Sequence, residues 1–131
     1  MSFGHTGIDW LHSLLDSHTQ ILIMPEFSFY RSWKVLAAGS ATTANNMHEI
    51  WMNYFNSPSN QGKENRKFYT IKESERFSKR FLNNLLSGGI SRKKTFFSII
   101  DSYAWAKNID YNKIKVIIEH EHVSFPYRDI F

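Results

Sequence analysis

Gly4-His5-Thr6-Gly7 sets two glycines around a polar pair, directly ahead of an amphipathic stretch that runs to His18. A glycine-bracketed turn feeding a helix leaves backbone N–H groups without partners at the helix start, an arrangement suited to an anion. Over Thr6 to His18, helical spacing puts Ile8, Trp10, Leu11, Leu14, Leu15 and His18 on one side. Asp9, His12, Ser13, Asp16 and Ser17 fall on the other. Thr6 and Asp9 form a capping-box-like pair at the start. Ile21 to Met24 is then a short apolar run ended by Pro25, with Glu26 just beyond. Such a run suits a strand buried on both faces, as in a parallel sheet. The predicted order is strand end, turn, helix, strand, acid.

Downstream the periodicity is helical. Phe29, Tyr30, Trp33, Leu36 and Ala37 predict a helix ending near Gly39, and Gly39 to Thr43 reads as a small-residue connector. Met47, Ile50, Trp51, Tyr54 and Phe55 follow helical spacing closely. Ser57 to Lys67 is turn chemistry without an apolar anchor. Phe77, Phe81, Leu82, Leu85 and Leu86 mark a further helix, stopped by Gly88-Gly89. Ser91 is the expected N-cap of the next, whose buried face is Phe96, Ile99, Ile100 and Tyr103. Ile114 to Ile118 is short, β-branched and continuous, and predicts a last strand; Glu119 to Phe131 reads as loop. The expected fold is α/β: a small parallel sheet with helices on both sides, a P-loop-like strand–loop–helix at the N-terminus and a helical middle.

Composition narrows the function classes. Eleven Phe and four Trp among 131 residues require burial, which excludes a disordered chain. With no cysteine, disulfides and thiolate metal sites are excluded. The net charge of +4 is concentrated: Gly62 to Lys94 holds ten basic residues against three acids. That excess fits an anionic acceptor such as a glycan or lipid head group, or simply a solvated helix face. No nucleic-acid motif accompanies it, and the nearby Phe68, Tyr69 and Phe77 fit helix burial better, so nucleic acid is the less favoured partner. No apolar run approaches the roughly 20 residues of a membrane helix, and no secretory signal is visible, so a cytoplasmic chain is expected.

Read together, Phe3 to Glu26 resembles the start of a sulfotransferase domain. In that superfamily a strand enters a loop of the type Arg/Lys-Ser-Gly-Thr-Thr, followed by a helix reading Leu-x-x-Leu-Leu-x-x-His-Pro and a short strand. The matching residues are His5-Thr6-Gly7-Ile8-Asp9, then Leu11-His12-Ser13-Leu14-Leu15-Asp16-Ser17-His18-Thr19. The resemblance implies that Gly4, His5, Thr6, Gly7, Ile8, Asp9 and Trp10 cradle the 5′-phosphosulfate of the co-substrate 3′-phosphoadenylyl sulfate. It implies that His5 stands at the basic position and that Glu26 is the base that deprotonates a hydroxyl or amine acceptor. Ile8 and Asp9 replace the family's two threonines, which removes a hydroxyl donor and adds a carboxylate in the first turn. Lys113 to His122 is similar to the strand that precedes the family's 3′-phosphate segment, but Arg128-Asp129 lacks the proline and helix that follow there. A single domain, incomplete at the C-terminus, is therefore expected. The alternative is a non-catalytic relative, or a basic module for anionic glycans or nucleic acid.

Glu119-His120-Glu121-His122 offers metal-ligating groups, with His120 and His122 on one face of an extended chain. No third ligand is spaced convincingly, and a polar strand end is expected instead. No metal is assigned.

Overall fold

The computed structural model describes residues 14–15, 18–24, 29–33, 43–57 and 70–118. They form β1 (Ile21–Ile23), α1 (Phe29–Ser32), α2 (Ala44–Asn56), α3 (Ile71–Gly88), α4 (Arg92–Ala106), a 3-10 turn (Tyr111–Lys113) and β2 (Val116–Ile118). The arrangement is α/β and mostly helical. β1 and β2 pair in parallel, Ile21 opposite Val116, Leu22 opposite Ile117 and Ile23 opposite Ile118. The N-terminal strand, turn and helix start that complete the expected P-loop-like unit lie outside the described residues.

Each long helix begins on a hydroxyl cap. Thr43 Oγ1 accepts from the Asn46 N–H at 3.2 Å, and Ser91 Oγ accepts from the Lys94 N–H at 3.4 Å. Thr70 and Glu73 form a full capping box at the head of α3, where Glu73 N–H donates to Thr70 Oγ1 and Thr70 N–H to Glu73 Oε2. Such caps contribute about 1 kcal/mol each. Gly89 ends α3 with φ of 92°, a conformation that suits glycine.

The core is aromatic. Phe29 stacks on Trp51 with ring centroids 5.2 Å apart and also meets Phe96 at 4.9 Å. Phe55, Phe77 and Phe81 continue the cluster, and Leu22 and Met24 join β1 to it. α3 packs against both α2 and α4, and α4 is the most deeply buried helix. Thr95, Ser98, Ser102, Ala104 and Ala106 are buried along with Phe96, Ile99 and Ile100, so its apolar surface is not confined to one stripe.

Several expected positions are corrected. His18 lies beyond the helix that contains Leu14 and Leu15, is exposed, and accepts the Gln20 N–H on Nδ1 at 3.2 Å. Leu14 is exposed and Leu15 half-buried, because adjacent helical residues diverge by about 100°. Leu86, expected in the apolar face of α3, is 61% exposed, since its spacing sets it opposite Phe77. Ile114 precedes the last strand rather than opening it, and Val116 is exposed at that strand's start, so β2 is not buried on both faces.

α2 and α3 are joined through His48. Its Nε2 lies 3.1 Å from the Ser78 carbonyl oxygen, which can only accept, so Nε2 carries a proton; Ser78 Oγ is 2.9 Å away. Burial outweighs the Ser78 carbonyl bond and lowers the His48 pKa below 6.5. The unfolded chain therefore binds this proton before the folded one does. His48 is expected to remove stability as pH falls through about 6.5, with the loss ending below its folded pKa. Urea midpoints between pH 7.5 and 5 should show a smaller drop for His48→Gln than for the wild type.

Candidate functional site

α3 and α4 form an antiparallel helical hairpin about Gly89-Ile90-Ser91, so residues equally far from that turn face one another. Arg80 meets Asp101 with two parallel bonds, Nε to Oδ2 at 2.7 Å and Nη2 to Oδ1 at 3.3 Å. Asn84 Nδ2 donates to the same Oδ2 at 2.7 Å. The carboxylate hydrogen bond raises the Arg80 pKa further, so this cation is permanent. One step further along, Lys107 Nζ pairs with Glu73 Oε2 at 3.1 Å.

Arg76 is held differently. α4 ends in a Schellman motif, with the Ile109 N–H donating to Ala104 O at 2.8 Å and the Asn108 N–H to Trp105 O at 3.1 Å. Asn108 takes the left-handed conformation this needs, with φ of 60°. The motif leaves Trp105 O and the Asn108 side chain turned toward α3. Arg76 Nη2 donates to Trp105 O at 2.8 Å, and Nη1 donates to Asn108 Oδ1. Both acceptors are neutral, and Arg76 forms no ion pair among the described residues. The Arg76 and Arg80 guanidiniums lie 5.6 and 5.3 Å from the centre of the Trp105 ring, within cation–π range.

These side chains line an open cleft of about 480 Å³ together with Ile109, Asp110, Tyr111 and Asn112. Asp110 is engaged: its Oδ1 accepts from the Asn112 N–H at 3.1 Å, and its Oδ2 lies 3.6 Å from Lys113 Nζ. Burial, then the nearby Asp101 charge, raises the Tyr111 pKa, so its phenol stays protonated at neutral pH.

The sheet defines a second location. Because β1 and β2 are parallel, the chain leaves both at one edge, where the Met24 N–H donates to Ile118 O at 2.9 Å. Glu26 follows Met24 by two residues in the sequence, and Glu119 follows Ile118 directly. Gly4, His5, Thr6, Gly7, Ile8, Asp9, Trp10 and Glu26 all lie outside the described residues, as does Glu119 to His122.

The basic run resolves into separate groups. Lys63, Arg66 and Lys67 lie outside the described residues. Arg92, Lys93 and Lys94 open α4 at the hairpin turn, whereas Arg76 faces the far end of α4. Among the described residues, Lys72, Arg76, Lys79 and Arg80 follow one another at i, i+4, i+7 and i+8 along α3, and Arg92, Lys93 and Lys94 form a second group. Trp105, Asn108 and Tyr111 were not marked by sequence pattern. The usable signal was the spacing of Arg80 and Asp101 about Ile90.

Comparison with protein-family models, curated proteins and solved structures finds no match.

Proposed function

We propose that this chain is a sulfotransferase-like domain, transferring a sulfuryl group from 3′-phosphoadenylyl sulfate to a hydroxyl or amine acceptor. The parallel register of β1 and β2 is the observation that carries the reading. Open α/β sheets bind their ligands outside the carboxyl ends of parallel strands, and Glu26 follows β1 in the sequence by way of Met24 and Pro25. In this reading Gly4 to Trp10 cradle the donor. Gly7 permits close backbone approach, Thr6 donates a hydroxyl hydrogen, the helix start adds positive partial charge, and His5 stands at the basic position. Glu26 takes the acceptor's proton as the acceptor atom bonds to sulfur and the sulfur–oxygen bond to the nucleotide breaks. By analogy with phosphoryl transfer, positioning and charge stabilisation supply most of the rate. The alternative is a non-catalytic relative, or a basic module for anionic glycans or nucleic acid.

The test is calorimetry with 3′-phosphoadenosine 5′-phosphate. The wild-type chain should bind weakly, because Asp9 puts a negative charge in the first turn. Asp9→Thr should tighten binding by about 1 kcal/mol, the size of a charge effect at a helix terminus. Losing the Thr6–Asp9 cap should cost a similar amount of stability, about 1 kcal/mol. If the variant melts lower and binds no better, Asp9 is only a cap and the donor reading fails.

A further inference from the structure

The α3–α4 cleft lies apart from the edge to which that reading assigns chemistry. Asp110 to Asn112 precede β2 in the chain, so the cleft adjoins the N-terminal side of the sheet, whereas Met24 and Ile118 mark the opposite edge. Its volume of about 480 Å³ falls in the range of small-molecule sites, about 300–1,000 Å³.

Its chemistry is selective. Asp101 is neutralised by Arg80, and Asp110 faces Lys113. Arg76 remains a cation held by neutral oxygens through one hydrogen each of Nη1 and Nη2, and its Nε–H and remaining Nη hydrogens are left to meet a carboxylate or sulfate. Trp105, 52% exposed, adds an apolar surface beside it. The neutral Tyr111 hydroxyl and the Asn112 amide add both donors and acceptors to the lining. The lining sets two arginines against two carboxylates and so carries no net positive charge, which disfavours a phosphate chain or nucleic acid relative to a ligand with a single negative group.

We propose that this cleft binds a hydroxylated ring bearing one acidic group, that is, an acidic sugar, with its carboxylate or sulfate on Arg76 and its ring beside Trp105. The site is independent of the donor turn.

Titration of the ¹⁵N-labelled full chain, following the Trp105 indole N–H, tests it. Glucuronate and glucose 6-sulfate represent the two acidic groups, glucose the neutral ring, and a dT oligomer the nucleic-acid alternative. Saturable shifts are expected with one or both acidic sugars, at least tenfold weaker binding of glucose, and at least a tenfold loss in Arg76→Gln. Lys79→Gln, an exposed change on the same helix, should leave affinity unaltered and so separates Arg76 from general charge. Asp9→Thr should leave these shifts unchanged, which keeps this result distinct from that of the donor turn. Equal binding of glucose, full binding by a folded Arg76→Gln chain, equal losses in the Arg76 and Lys79 variants, or tighter binding of the dT oligomer would overturn the proposal. Should Arg76→Gln not fold, the ratio of acidic sugar to glucose on the wild type decides alone.

Discussion

Phe81→Ala is expected to destabilise the fold by about 3–5 kcal/mol, the range for truncating a buried aromatic. Phe81 is 0% exposed. Its ring lies 5.5 Å from Phe77 and 5.8 Å from His48, so it fills the seam between α2 and α3. The cavity left by alanine would open where the two helices meet and could not collapse without moving one of them. Set against the 5–15 kcal/mol typical of a domain, the loss is large enough to unfold much of the population at moderate temperature. Leu86→Ala, five positions further along the same helix but pointing into solvent, should change stability by only about 0.5 kcal/mol or less. Urea unfolding of both variants measures the contrast; equal midpoints would mean that α3 does not present this face to the core.

Asp101→Ala should cost about 1–2 kcal/mol. The carboxylate accepts two hydrogen bonds from Arg80 and one from Asn84. Losing a charged acceptor with several donors would cost up to about 3 kcal/mol in a buried setting. Arg80 is 42% exposed and can partly rehydrate, which lowers the figure. Arg80→Ala should cost at least as much as Asp101→Ala, because it leaves the Asp101 carboxylate, 19% exposed, without its cation and with only Asn84 as a donor. The double variant should be less destabilised than the sum of the two singles, since both remove the same contact. Full additivity would show that the pair contributes nothing to holding α3 against α4.

Local signals in the sequence read the helices well. The spacing of Phe77, Phe81 and Leu85, closed by Gly88-Gly89, marks α3, and Ser91 is the cap of α4. The stripe of apolar residues at helical spacing is wider than the buried face, however: Leu86 and Leu14 belong to the stripe, yet both are exposed. The Thr70–Glu73 box was a readable start signal that the apolar pattern overshadowed. For α4 the difficulty was different: small residues and serines pack inside the hairpin, so its buried surface exceeds the stripe its large side chains define. The cleft was not legible, because Arg76, Trp105 and Asn108 come together only after the hairpin register and the Schellman turn are set. Asn108 followed by Ile109 is a local cap signal, but which residue of α3 it meets is set by the packing of the two helices.

The short sheet has a consequence for how the molecule is held together. Pairing Ile21 with Val116 joins points separated by most of the chain. Closing a flexible loop of about a hundred residues costs on the order of 4 kcal/mol of chain entropy. A ladder of three residue pairs, at about 1 kcal/mol net per hydrogen bond, offsets little more than that. The strands therefore do not tether the ends of the fold. The helical hairpin and α2 are joined by contacts 21 to 34 residues apart, much shorter than the span between β1 and β2, so they are the cheaper closures, and the sheet acts as a clasp on the body they form.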